Sequence, residues 1–166
     1  SESSVDVDEE IAKLQYCTEE QKDLVLHAVK GLNNAVANGH ALFSGESEEQ
    51  AKGLIHRCIW ACHYFTGDLE IVRASLELIL VAIRPRRVQG STGVGYLHLL
   101  YTDILFEQFV PTKLDEKKEI SNMHVLLNLL KLPDFQIRYH LTSILQLVMK
   151  NQKTSLLQVE ILGDPM

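Results

Sequence analysis

Glycine and proline are scarce in this chain, nine and four among 166 residues, which argues against a β-sandwich built on frequent tight turns. Alternation of apolar and polar residues, the mark of a half-buried strand, is nearly absent. Cysteine is limited to three residues. An odd number, with no secretory apolar region at the N-terminus, points away from a disulfide framework and to a reducing, cytoplasmic setting. No apolar run approaches the ~18 residues of a membrane-spanning helix. Bases are outnumbered, 16 Lys and Arg against 22 Asp and Glu. This balance disfavours nucleic acid as a partner, because phosphate neutralisation by Lys and Arg supplies most of that affinity.

What is present suits a single globular domain over 1–166. Hydrophobic residues make up 46% of the chain and charged ones 23%, enough to build a core that needs neither a metal nor disulfides for reasons of size. The charge is uneven: residues 1–50 carry eleven acids and three bases, whereas 51–166 carry eleven acids and thirteen bases. The acidic segment 1–8 is expected to be disordered.

Helical period dominates the rest. Thr18-Glu19-Glu20-Gln21 has the form of a capping box. It precedes a stripe of Leu24, Val25, Ala28, Val29, Leu32, Ala35 and Val36 that ends near Asn38-Gly39. A second box, Ser47-Glu48-Glu49-Gln50, opens a helix whose apolar face is Ala51, Leu54, Ile55, Cys58, Ile59, Cys62 and Phe65. Asp68 is placed to cap a third helix, with Val72, Leu76, Ile79, Leu80 and Ile83 inward and Pro85 closing it. After the loop Arg84–Gly95, helices are expected over Tyr96–Phe109, within Asp115–Lys131, over Phe135–Lys150 behind Pro133-Asp134, and over Ser155–Leu162. Seven or eight helices with short connections predict an all-α domain.

An internal echo favours stacked helix pairs over a closed bundle. At an offset of 65 residues Val72-Arg73 falls on Ile137-Arg138, Leu76 on Leu141, and Ile79-Leu80 on Ile144-Leu145. Each copy follows a short turn, Thr66-Gly67-Asp68 or Leu132-Pro133-Asp134, which predicts an armadillo- or HEAT-like α-solenoid. An Arg near a helix N-terminus opposes the macrodipole. Arg73 and Arg138 are therefore expected to tie their turns to the neighbouring helix pair through Asp68, Asp134 or a carbonyl.

Candidate chemistry is thin. His56, Cys58, Cys62 and His63 are the nearest approach to a metal cluster, but Cys58 and Cys62 share the apolar helix face and read as core. Gly90–Gly95 is glycine-rich without the Lys and preceding strand of a phosphate loop. Asp103 and Glu107 form an i, i+4 carboxylate pair that reads as a solvated face, and the seven histidines share no spacing. No hydrolase motif occurs. No catalytic residue, metal or cofactor is expected. Arg84, Arg86 and Arg87 around Pro85 are the candidate partner-binding residues: they suit a helix C-terminus, and their guanidiniums could equally dock an acidic partner or a lipid headgroup.

One stretch carries a resemblance. Val125-Leu126-Leu127-Asn128-Leu129-Leu130, then Asp134-Phe135-Gln136-Ile137-Arg138, then Ile144-Leu145-Gln146-Leu147-Val148-Met149 resembles the armadillo head of the Uso-type vesicle tethers, the general vesicular transport factor family. Ile161–Met166 is similar to the start of that family's next repeat; His27–Leu32 and Asp68–Ile83 resemble preceding repeats more weakly. The resemblance implies a fragment of a longer protein. It further implies a non-enzymatic scaffold at the ER–Golgi boundary that contacts Rab GTPases and SNAREs and reaches membranes only through partners. The other expectations are an armadillo or HEAT adaptor unrelated to vesicle transport, and a small helical enzyme using His56, His63 or the glycine loop.

Overall fold

A computed structural model describes residues 6–14, 18–38, 48–84, 102–111 and 119–151. Among these residues the chain is all-α, with no strand beyond a single antiparallel bridge between Gln108 and Ser121. The helices are α1 (Val7–Lys13), α2 (Lys22–Ala37), α3 (Glu48–Tyr64), α4 (Leu69–Ile83), α5 (Asn122–Asn128) and α6 (Phe135–Asn151). Residues 102–104 are also helical, and short 3-10 turns lead into α2 and out of α5. No helix among the described residues is long and apolar enough to cross a membrane.

The acidic N-terminal segment enters the fold earlier than its composition predicts. Asp6 caps α1 by accepting from the Glu9 amide, and Ile11 and Leu14 are buried in the core. The Thr18 box also works differently. Its hydroxyl donates to the Gln21 side-chain oxygen at 2.7 Å rather than accepting from the backbone, so a 3-10 turn, Glu19–Gln21, comes first and α2 begins at Lys22. Leu24, expected inward, is 38% exposed, while Val25, Ala28, Val29, Leu32 and Ala35 are buried. Ser47 and the loop that follows Arg84 lie outside the described residues, as do the expected helix over Ser155–Leu162 and the stretch Ile161–Met166.

Helix α4 is the axis of the molecule. Its cap matches expectation: Asp68 Oδ1 accepts from the Glu70 and Ile71 amides at 3.1 and 3.2 Å, satisfying donors left orphaned at a helix start. Ten of its fifteen residues are buried, a distribution that goes with a helix covered on more than one side. It packs against α3 and α2, and against α6. Polar contacts fix its register on α2: Lys30 pairs with Glu70, Lys22 with Asp68 at 3.8 Å, and the Asn33 amide donates to the Ala74 carbonyl at 3.0 Å.

The expected helix ending at Phe109 stops sooner, and the reason lies in α5. Buried Asn122 donates through Nδ2 to the Ile104 carbonyl at 2.9 Å, and the Met123 and Asn122 amides take the carbonyls of Leu105 and Glu107. The Phe109 amide then donates to Ile120. The last carbonyls of that helix are taken locally, by i→i−3 bonds from the Leu105, Phe106 and Glu107 amides, and across the chain, so the segment tightens into a turn and then lies along the entry to α5. Trp60 Nε1 on α3 donates to the Val110 carbonyl at 2.7 Å and fastens this segment to the core. Ser121, not a residue near 115, caps α5.

Candidate functional site

Asp134 opens α6 much as Asp68 opens α4, accepting from the Ile137 amide at 2.9 Å after the break at Pro133. Along α6 the core stripe is Ile137, Leu141, Ile144 and Val148, all at most 1% exposed. The two helices that echo each other in sequence therefore touch, and an ion pair marks the join: Arg73 Nε lies 3.5 Å from Asp134 Oδ2, while donating to the Leu69 carbonyl at 3.2 Å. This is the tie expected of Arg73, with the next aspartate as partner.

Arg138 does not repeat it. Its side chain is exposed and forms no ion pair among the described residues. The cause is register. The two capping aspartates are 66 residues apart, whereas the side-chain echo runs at 65. Arg73 stands five residues after its cap and Arg138 four, a rotation of about 100° around the helix. Val72 and Ile137, the apolar partners in the signature, are both fully buried.

Because Arg73, near the start of α4, meets the cap of α6, and Arg84, at the end of α4, lines the same groove as Lys150 near the end of α6, the two helices run side by side in one direction. Between them is a groove of about 290 Å³. Glu77, Leu80 and Arg84 form one wall; Tyr139, His140 and Lys150 lie on the other. Arg84 is the C-cap of α4, with extended backbone geometry (φ −64°, ψ 144°) that ends the helix there. Of the three candidate arginines, Arg84 is placed in this groove; Arg86 and Arg87 lie outside the described residues. Neither Arg84 nor Lys150 forms an ion pair among the described residues. His140 Nδ1 is buried at the groove without a hydrogen-bond partner. Burial lowers the His140 pKa, Arg84 lowers it further, and Glu77 and Asp134 act the other way, so the ring is neutral near pH 7.

The outward side of α6, which shares Tyr139 and Gln146 with the groove, is a second feature. Phe135, Tyr139 and Met149 are 81%, 60% and 60% exposed. With Thr142 and Gln146 they fall at helical spacing directly across from the core stripe, so α6 has apolar side chains on both faces. Sequence reasoning placed these residues in a helix but did not single them out. The signal was there: a helix with a complete core stripe had large apolar residues to spare.

The histidines and cysteines of α3 separate as their positions on the helix require. Cys58 and Cys62 are fully buried free thiols, and burial pushes both thiol pKa values up, further from the reactive thiolate. His56 faces the other way and sits 3.9 Å from Glu107; burial lowers its pKa more than that carboxylate raises it. His63 packs its ring on Phe109 at 4.8 Å. Among the described residues no three His, Cys, Asp or Glu side chains converge as metal ligands. Asp103 and Glu107 are both exposed, and Glu107 lies beyond the helical turn that would have aligned them. The glycine loop is outside the described residues. No family model, curated protein or solved structure matches the chain.

Proposed function

We propose that this chain is a non-enzymatic protein-interaction scaffold, an α-solenoid segment that presents α6 to partner proteins. The observation that carries the reading is the outward side of α6, where large apolar side chains are left exposed among the described residues. Phe135, Tyr139 and Met149 are exposed on the outward side of a helix whose other side is committed to the core, with polar Thr142 and Gln146 between them, and several large apolar residues turned outward on one helix support a protein-binding role. The solenoid arrangement is supported by the side-by-side packing of α4 and α6, the two helices that carry the sequence echo. By its resemblance to the Uso-type tether head, the scaffold acts at the cytoplasmic face of ER–Golgi membranes, with Rab GTPases and SNAREs as partners.

The test is capture from a Golgi extract on the immobilised chain, comparing the unaltered protein with Phe135→Ser and Met149→Ser. Recovery of a Rab GTPase or a SNARE by the unaltered chain, lost in the double variant, is the expected result. Recovery of proteins that include neither would leave a scaffold of the adaptor kind, unrelated to vesicle transport. Capture indifferent to Phe135 and Met149 would refute the assignment of the α6 face.

A further inference from the structure

The outer face of α6 explains adhesion but not selectivity, and the polar groove beside it is left without a role. At about 290 Å³ it lies at the lower limit of small-molecule pockets, which span roughly 300–1,000 Å³. That is too little for a dinucleotide or haem and enough for one or two side chains of a peptide. Its charges are arranged in order. Arg84 and Lys150 both line the groove near the ends of α4 and α6, and Glu77 lies two turns back along α4. The cations have no acidic partner among the described residues, as Arg138 has none, whereas Lys13, Lys22, Lys30 and Arg73 are paired with acids. His140 lines the groove beside them, with its Nδ1 turned inward and unbonded. Leu80 and the Tyr139 ring supply apolar walls for the methylene groups of a bound side chain.

Resting on the scaffold reading, we propose that the α4–α6 groove is a recognition site for an acidic peptide segment of the partner, whose carboxylate is held between Arg84 and Lys150. Arg84 offers the planar, two-pronged donor that fits a carboxylate, and Lys150 a mobile point charge. Glu77 repels a second acid one or two residues along, so the site selects a peptide with an acid at one position over a uniformly acidic one. Inserting a carboxylate beside His140 favours the protonated ring, so binding takes up a proton. The groups that face this ring are Glu77 and Arg84 from α4 and Asp134 at the start of its own helix.

The test is fluorescence anisotropy of the full chain with two labelled nonapeptides, Ala-Gly-Ala-Leu-Glu-Leu-Ala-Gly-Ala and the same sequence with Gln for Glu, at 50 mM salt. The Glu peptide is expected to bind at least tenfold more tightly than the Gln peptide. Arg84→Ala with Lys150→Ala is expected to erase that ratio, Glu77→Gln to leave or raise it, and a change from pH 7.5 to 6.0 to tighten the Glu peptide alone. Arg84 and Lys150 are exposed, so an unchanged thermal melt confirms the fold of the variants. Equal binding of the two peptides, a ratio that survives loss of both cations, or displacement of the Glu peptide by inorganic phosphate at equal concentration would overturn the proposal. Loss of the peptide effect with capture through Phe135 and Met149 intact would remove the groove and leave the scaffold.

Discussion

Asp134 performs two tasks that can be separated by substitution. Its Oδ1 caps α6 through the Ile137 amide, and its Oδ2 faces Arg73 across the helix pair. Asp134→Asn retains an N-cap acceptor and removes the charge; Asp134→Ala removes both. The cap is worth about 1 kcal/mol. The pair is set by geometry: at 3.5 Å from Nε, with the Arg73 side chain 36% and the Asp134 side chain 14% exposed, it belongs near the upper end of the ~0.2–1 kcal/mol of surface pairs. The expected losses are therefore roughly 0.5–1 kcal/mol for Asn and roughly 1.5–2 kcal/mol for Ala, with a coupling to Arg73→Ala of at most about 1 kcal/mol in a double-mutant cycle. Urea unfolding is the assay, followed both by far-ultraviolet circular dichroism and by the fluorescence of Trp60, the only tryptophan; coincident transitions establish two-state behaviour. Equal losses for Asn and Ala would refute the capping role. A coupling of zero would refute the tie between α4 and α6.

Three other outcomes follow from buried groups. Ser75 is fully buried in the middle of α4 with its hydroxyl unbonded, so Ser75→Ala should raise the unfolding free energy by about 1 kcal/mol, through a relieved polar group and better helix propensity; a destabilisation would mean that the hydroxyl has a partner. Cys58 and Cys62 should resist Ellman's reagent in a folded Cys17→Ser variant and give two equivalents after urea unfolding; prompt reaction of the folded protein would contradict their burial. His56 and His140 both have lowered pKa values, caused first by burial. The unfolded chain therefore binds protons at a higher pH than the folded one, and stability present above about pH 6.5 is lost as the pH falls through the folded values. The urea midpoint should drop between pH 7 and pH 5, and His56→Gln with His140→Gln should flatten the profile; a midpoint that rises on acidification would reverse the assignment.

The fold was legible where a local signal and a buried face agree. The Asp68 and Asp134 caps, the α3 stripe from Ala51 to Phe65 and the α6 stripe all follow from spacing that admits one helical reading. Reading failed where a distant group intervened. The helix ahead of Phe109 looks continuous until Asn122 takes the Ile104 carbonyl from eighteen residues away. At Thr18 the side chain of Gln21, a good capping partner on paper, binds the hydroxyl itself. The site was half legible. Arg84 was marked by its place at a helix end beside Pro85. Lys150 and His140 carried no such mark, because nothing in spacing alone says that the ends of α4 and α6 meet. Arg73 and Arg138 looked equivalent in sequence, but the one-residue slip between echo and cap places only Arg73 at the join.

The central claim is that partners bind along α6, on its exposed apolar face and in the groove it makes with α4. Amide nitrogen–proton NMR of the labelled chain, titrated with a Golgi Rab GTPase or SNARE recovered by capture, tests it most directly. The account predicts perturbations concentrated at Arg84 and at Phe135, Tyr139, His140, Met149 and Lys150, with α1 and the exposed side of α3 unmoved. Perturbations centred on α1 or α3, with α6 silent, would contradict it.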